Sequence, residues 1–279
     1  MRTILQKTLA LLAKITLRRY KPTVIGITGS VGKTSTREAI FTVLRTKYRV
    51  RRSEKNYNTE IGLPLTILGI PHYGRNIFGW ISALVRVAIR VLFRDQNFPE
   101  ILVLEMGADR PGDIKYLCRI ARPSIAVLTA IGEIPAHVEF FAGPLEVAEE
   151  KAELLKALPP SGFAIINGDD ETLLEVKERT KARKISFGFD EHADVRISNY
   201  EIRVIEKDEL DYPDGISFKI ENDGNMVPVR IHGAFGKPHA YAAAAAAAVA
   251  RVLNMNLVEV SRALEGYEAG PGRGRLIRG

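Results

Sequence analysis

The chain has 279 residues, 46% hydrophobic and 26% charged, an ordinary globular composition long enough for one large domain or two smaller ones. Its one cysteine, Cys118, excludes an internal disulfide and reads as a buried thiol in a reducing cytosol, with no neighbour that would activate it as a nucleophile. The net charge of +7 is uneven: residues 1–55 hold 14 Lys/Arg against Glu38 and Glu54, whereas the other 224 residues hold 26 against 31. Such a basic end attracts phosphates, nucleic acid or an anionic membrane surface, or it is simply a solvated basic face.

Residues 1–20 mix apolar and basic residues, with Lys7, Lys14, Arg18 and Arg19 interrupting the run and no alanine-type cleavage site after it, so they do not read as a secretory signal. Residues 3–19 read as a helix ended by Pro22. An apolar strand is expected at Thr23–Thr28, then a Gly-rich turn, then a helix over 33–46. The longest apolar stretch, 77–93, contains Arg86 and Arg90 and is short and charged for a spanning helix. Strands are expected at 101–104, 125–129 and 163–166, alternating with helices at 112–120 and 145–158. Apolar strands alternating with helices indicate an α/β fold with a parallel sheet. The pattern then changes to β segments at 193–205, 215–221 and 226–231, with turns at Tyr212-Pro213-Asp214-Gly215 and Asn222-Asp223-Gly224-Asn225. This predicts a small, partly antiparallel sheet attached to the first. A helix over 238–253 holds an alanine run at 242–248. No internal repeat is present, and 269–279 is rich in Gly and Arg, like a linker.

The chemistry-bearing motif is Gly26-Ile27-Thr28-Gly29-Ser30-Val31-Gly32-Lys33-Thr34-Ser35. Between a strand and a helix, its glycines allow a tight turn whose N–H groups point at phosphate oxygens, and the helix start adds a positive dipole end. Lys33 would reach the β- and γ-phosphates of ATP and the Thr34 hydroxyl would reach Mg²⁺. The general phosphate loop has Gly six residues before the Lys, where this chain has Ile27, with glycines at 26, 29 and 32 instead.

With this altered spacing the segment resembles the nucleotide loop of the Mur ligases. Asn56-Tyr57-Asn58-Thr59-Glu60-Ile61-Gly62-Leu63-Pro64-Leu65-Thr66 and Glu105-Met106-Gly107-Ala108 are similar to two further segments of that family, in the same order. The resemblance runs from about residue 23 to 275, and the branch it matches best adds D-alanyl-D-alanine to UDP-N-acetylmuramoyl-tripeptide. It implies an ATP- and Mg²⁺-dependent ligase of peptidoglycan precursors. Such a ligase activates a carboxylate as an acyl phosphate that an amine attacks, with Mg²⁺ and Lys offsetting the charge on the phosphoryl group. It further implies nucleotide contacts along 28–35 and at Asn167, His239 and Arg273, and substrate contacts at Asn56, Asn58 and Thr59. The implied metal ligands are Thr34, Glu105, His137 and Lys151, the last as a carbamylated lysine fourteen residues after His137. Taken alone, His137 reads as a loop histidine, Lys151 as a solvated helix lysine, and Asn167-Gly168-Asp169-Asp170 as an Asx turn.

This chain departs from the family pattern in places. Ile134-Pro135 stand as two extra residues before Ala136-His137, which displaces His137 along the chain. In Lys237-Pro238-His239-Ala240-Tyr241 the family's two asparagines are lost, which assigns adenine recognition to another residue such as Tyr241. By resemblance, 1–21 is a basic helix in place of the UDP-gripping domain, 22–270 the central ATP-binding domain, and 271–279 the start of a hinge. An absent C-terminal domain, or a partner chain, would supply the amine site, so the chain is expected to bind Mg-ATP yet ligate poorly by itself. A cytoplasmic protein is expected, with the basic apolar segments 1–20 and 76–93 either touching the inner membrane surface or packing on each other or on a missing domain. Two other readings stand beside this one, a folylpolyglutamate-type ligase and a non-catalytic nucleotide-binding subunit. A nucleic-acid-binding reading lacks interleaved aromatics and any binding motif, so no nucleic-acid partner is expected.

Overall fold

The computed structural model describes residues 2–54, 57–132, 141, 143–207, 210–270 and 274. In chain order the elements are α1 (Arg2–Tyr20), β1 (Thr23–Thr28), α2 (Lys33–Leu44), β2 (Val50–Arg52), α3 (Gly62–Leu68), α4 (Ile77–Phe93), β3 (Ile101–Glu105), α5 (Asp113–Ile120) and β4 (Ile125–Leu128). They continue with α6 (Pro144–Lys156), β5 (Phe163–Asn167), α7 (Glu171–Val176), β6 (Arg183–Gly188), β7 (Val195–Lys207), β8 (Leu210–Asn222), β9 (Asn225–His232), α8 (Lys237–Val252) and α9 (Leu257–Leu264).

The strands form one sheet in the order β2-β3-β1-β4-β5-β6-β7-β8-β9. Pairing is parallel from β2 to β7 and antiparallel from β7 to β9, so the expected antiparallel portion continues the parallel sheet. The central strands are apolar on both faces because helices cover both. Ile25, Ile27, Val103, Val127 and Ile165 point into a core with α2, α8 and α9. Their neighbours Val24, Leu102, Leu104, Ala126 and Ile166 point into a second core with α1, α3, α5 and α6. This is period-two alternation with an apolar residue at every step. The alanine run of α8 is buried throughout, and its small side chains let α2 pack closely on it.

After β1 the chain moves to one side to build β2 and β3 and then returns to place β4 on the other side. The carboxyl end of β1 therefore lies at the topological switch point, where open parallel sheets bind ligands.

One expected turn is corrected. Tyr212–Gly215 lies inside β8, where the register with β7 slips between Arg203 and Val204 and leaves Asp214 as an extra residue. Gly215 is required by a close approach: at φ +153°, a Cβ there would stand 2.0 Å from Ile231 O on β9. The second expected turn is present. Asp223 (φ 49°) and Gly224 (φ 75°) are both left-handed, as a two-residue hairpin of type I′ needs.

Candidate functional site

The three loop glycines meet three different demands. A Cβ on Gly26 would come within 2.9 Å of Leu154 Cδ1 on α6, so this glycine allows the helix to sit on the strand. At Gly29, φ +147°, a Cβ would stand 2.1 Å from Thr129 Oγ1. Gly32 caps α2 at φ 86°, a left-handed conformation that costs other residues energy. The loop is tied to the chain after β4: Ser30 N and Val31 N donate to Ala130 O, and Thr129 Oγ1 donates to Val31 O at 2.6 Å. The Ser30 and Val31 amides are thus already engaged with Ala130 O, and α2 begins two residues further on. Lys33 Nζ folds back over the loop, donating to Gly29 O at 2.7 Å and Ser30 O at 3.2 Å. Among the described residues, the buried hydroxyls of Thr28 and Ser30 have no hydrogen-bond partner, as expected of groups awaiting a polar ligand.

Two of the expected metal ligands meet directly. Thr34 Oγ1 donates to Glu105 Oε2 at 3.1 Å and Oε1 at 3.3 Å, bringing together residues 71 apart in sequence. Glu105 is 4% exposed at the end of β3, and its amide donates to Ser53 Oγ. Arg37, one turn into α2, donates to Glu105 Oε2 at 3.1 Å and also pairs with Glu38, which Arg52 joins. This chain of contacts holds the Glu105 carboxylate against Thr34. Among the described residues no three His, Cys, Asp or Glu side chains gather, and of the expected metal ligands Thr34 and Glu105 are the pair in direct contact.

Lys151 on α6 is buried, not solvated. Burial first, and then the nearby charge of Lys33, push its ammonium down to about 8, against a pull upward from Glu150, Asp109 and Asp113. Its neighbour Glu150 accepts from Gly112 N and Ile114 N at 2.8 and 2.9 Å, capping the start of α5. Neither Glu150 nor Arg37 was readable as a site residue, because Glu149-Glu150-Lys151 and Thr36-Arg37-Glu38 look like ordinary solvated helix faces. Cys118, by contrast, is the inert thiol expected, pushed up to about 12 mainly by burial.

Beside the loop lies a cleft lined by Val31, Gly32, Thr36, Thr129, Ala130, Asn167, Asp169, Asp170, Phe187, Pro238 and Tyr241. Asn167 ends β5 and its Oδ1 accepts from Asp169 N, so the Asx turn is present and lies within this lining. Asp169 accepts from Phe189 N, Asp190 N and Tyr241 Oη, fixing the Tyr241 ring at the cleft. Asp170 holds the chain after β4 through Ile131 N at 2.7 Å and also caps α7. His239 is buried with Nδ1 2.8 Å from Tyr267 Oη, and a Cβ at Gly274 would stand 3.4 Å from its Nε2. Asn58 lies over the end of β3: its carbonyl accepts from Gly107 N and its side chain covers Gly107 Cα. Thr59 O accepts from Leu63 N at the start of α3. Ser35 is buried in the first turn of α2. Asn56, His137 with the preceding Ile134-Pro135, and Arg273 lie outside the described residues.

The sequence matches the family model of the Mur ligase middle domain over residues 27–78 and 86–250. It is 33% identical over 237 residues to the UDP-N-acetylmuramoyl-tripeptide–D-alanyl-D-alanine ligase of Bacillus subtilis, covering 85% of this chain and 43% of that protein. The enzyme of the same name from Synechocystis is 34% identical over 174 residues, covering 62% of this chain and 32% of that protein. The chain therefore spans less than half the length of these relatives. Among solved structures, the MurF ligase of Thermotoga maritima in complex with ADP superposes with a TM-score of 0.76 at 30% identity, covering 98% of this chain and 55% of that one. MurF of Acinetobacter baumannii gives a TM-score of 0.77 at 24% identity, over 98% and 52%, a likeness of fold.

Proposed function

The chain belongs to the Mur ligase family, of which it carries the middle domain, and on that premise we propose that it is the nucleotide-binding part of an ATP-dependent carbon–nitrogen ligase of peptidoglycan precursor synthesis. The reaction proposed is addition of D-alanyl-D-alanine to a UDP-N-acetylmuramoyl-tripeptide, as in the named relatives. The observation that carries the reading is the Thr34 hydroxyl held on the Glu105 carboxylate directly beside Lys33 in the loop. The residues present fit Mg-ATP: among the described residues Thr28 Oγ1 and Ser30 Oγ are buried without a hydrogen-bond partner, and Lys33 Nζ lies over the loop against Gly29 O and Ser30 O.

In this reading the first-turn amides of α2 and Lys33 hold the phosphates, Thr34 and Glu105 hold Mg²⁺, and the base lies in the cleft with Asn167 and Tyr241. The metal, when bound, offsets charge on the phosphoryl group during transfer to the substrate carboxylate. Lys151 as an ammonium would repel a cation. Its lowered pKa leaves a sizeable neutral fraction near pH 8, and that amine attacks CO₂, losing one proton to give a carbamate. The carbamate and His137 would complete a second metal site. Asn56, Asn58 and Thr59 contact the UDP-linked substrate, and residues 22–270 form the catalytic unit. A C-terminal domain or partner chain completes the amine site. ATP and UDP-linked peptides are cytoplasmic solutes, which puts the reaction in the cytoplasm.

The test is trapping with hydroxylamine, which needs no amine-binding domain. The chain is mixed with Mg-ATP, UDP-N-acetylmuramoyl-tripeptide and hydroxylamine. Transfer of the γ-phosphoryl to the carboxylate releases ADP, and hydroxylamine nitrogen then displaces phosphate from the acyl carbon. Equimolar ADP and hydroxamate are expected. ATP binding without hydroxamate would instead identify a non-catalytic nucleotide subunit.

A further inference from the structure

Helix α4 is apolar on two sides. Trp80, Ala83 and Val87 face inward into the protein core. Ile77, Phe78, Ile81, Val85, Ile89, Leu92 and Phe93 fall on the opposite side at helical spacing and are all exposed, Phe78 by 85% and Phe93 by 76%. A helix on a solvated surface would carry polar residues there. The neighbouring α1 repeats the feature with exposed Ile4, Leu11 and Ile15.

The charge carried by α1 and α4 themselves has one sign, with Asp95, just past α4, 4.0 Å from Arg90 Nε. No carboxylate occurs before Glu38, nor between Glu60 and Asp95, whereas Arg75, Arg86, Arg90 and Arg94 flank or interrupt α4 and are exposed. Lys7, Arg18 and Arg19 are exposed on α1. The family match omits α1 and the stretch 79–85 of α4. Among the described residues no helix is long and apolar enough to cross a membrane. Large apolar side chains backed by arginines and free of carboxylates suit a helix lying in the plane of an anionic bilayer, with its apolar face in the acyl boundary.

We propose that α4, assisted by α1, is a membrane-surface element that docks this chain on a bilayer rich in anionic headgroups. The inference goes beyond the ligase reading and does not depend on it, since the nucleotide site plays no part in it.

The test is co-sedimentation of the whole chain with vesicles of phosphatidylcholine alone, or of phosphatidylcholine and phosphatidylglycerol in equal parts, beside a vesicle-free control. The chain is expected to sediment with the anionic vesicles and far less with the neutral ones. Phe78→Ser with Phe93→Ser should lower the partition more than tenfold. Arg75→Gln with Arg94→Gln should lower it about fivefold per arginine at low salt. All four residues are exposed, so unchanged circular dichroism and Mg-ATP binding are expected and are the folding check. No association with the anionic vesicles, association insensitive to the phenylalanine pair, or equal sedimentation without vesicles would overturn the proposal. A dimer in solution abolished by Phe78→Ser, without vesicle binding, would also overturn it by assigning the face to a second copy of the chain.

Discussion

In the parallel half of the sheet, β1, β3 and β5 each end in a buried polar residue at the carboxyl edge: Thr28, Glu105 and Asn167. Thr129 follows β4 by one residue and is buried as well. In the antiparallel half, β9 alternates Val227, Val229 and Ile231 inward with exposed residues outward. There the polar groups pair locally across neighbouring strands, as Arg203 and the His232 ring do with Asp214. The helix layers explain the contrast. Strands covered on both faces have no solvent side for polar residues, so a polar side chain appears only where the strand ends and a ligand can reach it. A half-covered sheet keeps one solvated face, and its charges need no ligand to account for them.

The sharpest break of that comparison is removal of one charge from each half. Glu105→Ala removes a buried acceptor shared by Arg37, which keeps Glu38, and by the Thr34 hydroxyl, and a loss of about 3 kcal/mol or more is expected in urea unfolding. Arg203→Ala, in a pair with far more solvent contact, should cost under about 1 kcal/mol. Similar losses at both sites would contradict the contrast.

Lys151 gives the next effect. Its folded pKa of about 8 lies below the unfolded value of 10.5. Below pH 8 both states carry the proton and the cost of burying the charge is fully present. Between pH 8 and 10.5 the folded state has released its proton while the unfolded state keeps it, so stability rises with pH, by about 3 kcal/mol in all. Unfolding at pH 7.5 and 9.5 in carbonate-free buffer should show this rise in the parent and not in Lys151→Met. A third effect is smaller. Glu150→Ala removes the acceptor of two amides at the start of α5 and should cost about 1–3 kcal/mol without weakening Mg-ATP binding. The smallest is expected at the β8–β9 turn, where Arg251→Ala, which removes the α8 partner of exposed Asp223, should change stability by about 0.5 kcal/mol or less.

How much the sequence discloses follows the same divide. β1, β3, β4 and β5 stand out as uninterrupted apolar runs, and the loop stands out because Gly26, Gly29 and Gly32 answer separate steric demands at fixed spacing. β2, three residues reading Val-Arg-Arg at the sheet edge, carries no apolar run and is invisible as a strand. Tyr212-Pro213-Asp214-Gly215 has turn composition yet forms a bulge, because Gly215 answers a tertiary approach by β9 that local sequence does not encode. In the site, Lys33, Thr34 and Glu105 were legible through their motif and strand position. Arg37 and Glu150 were not, because whether a charged helix residue faces solvent or a buried amide is decided by α5 and β3, far away in sequence.

The central claim is that Lys33, Thr34 and Glu105 form one Mg-ATP site, and calorimetric titration of Mg-ATP into the purified chain tests it most directly. The parent should bind, Lys33→Ala should bind at least about a hundredfold more weakly, and Thr34→Val should bind ATP with its dependence on Mg²⁺ largely lost. No heat of binding in a parent that unfolds cooperatively, or equal binding by parent and Lys33→Ala, would contradict the account.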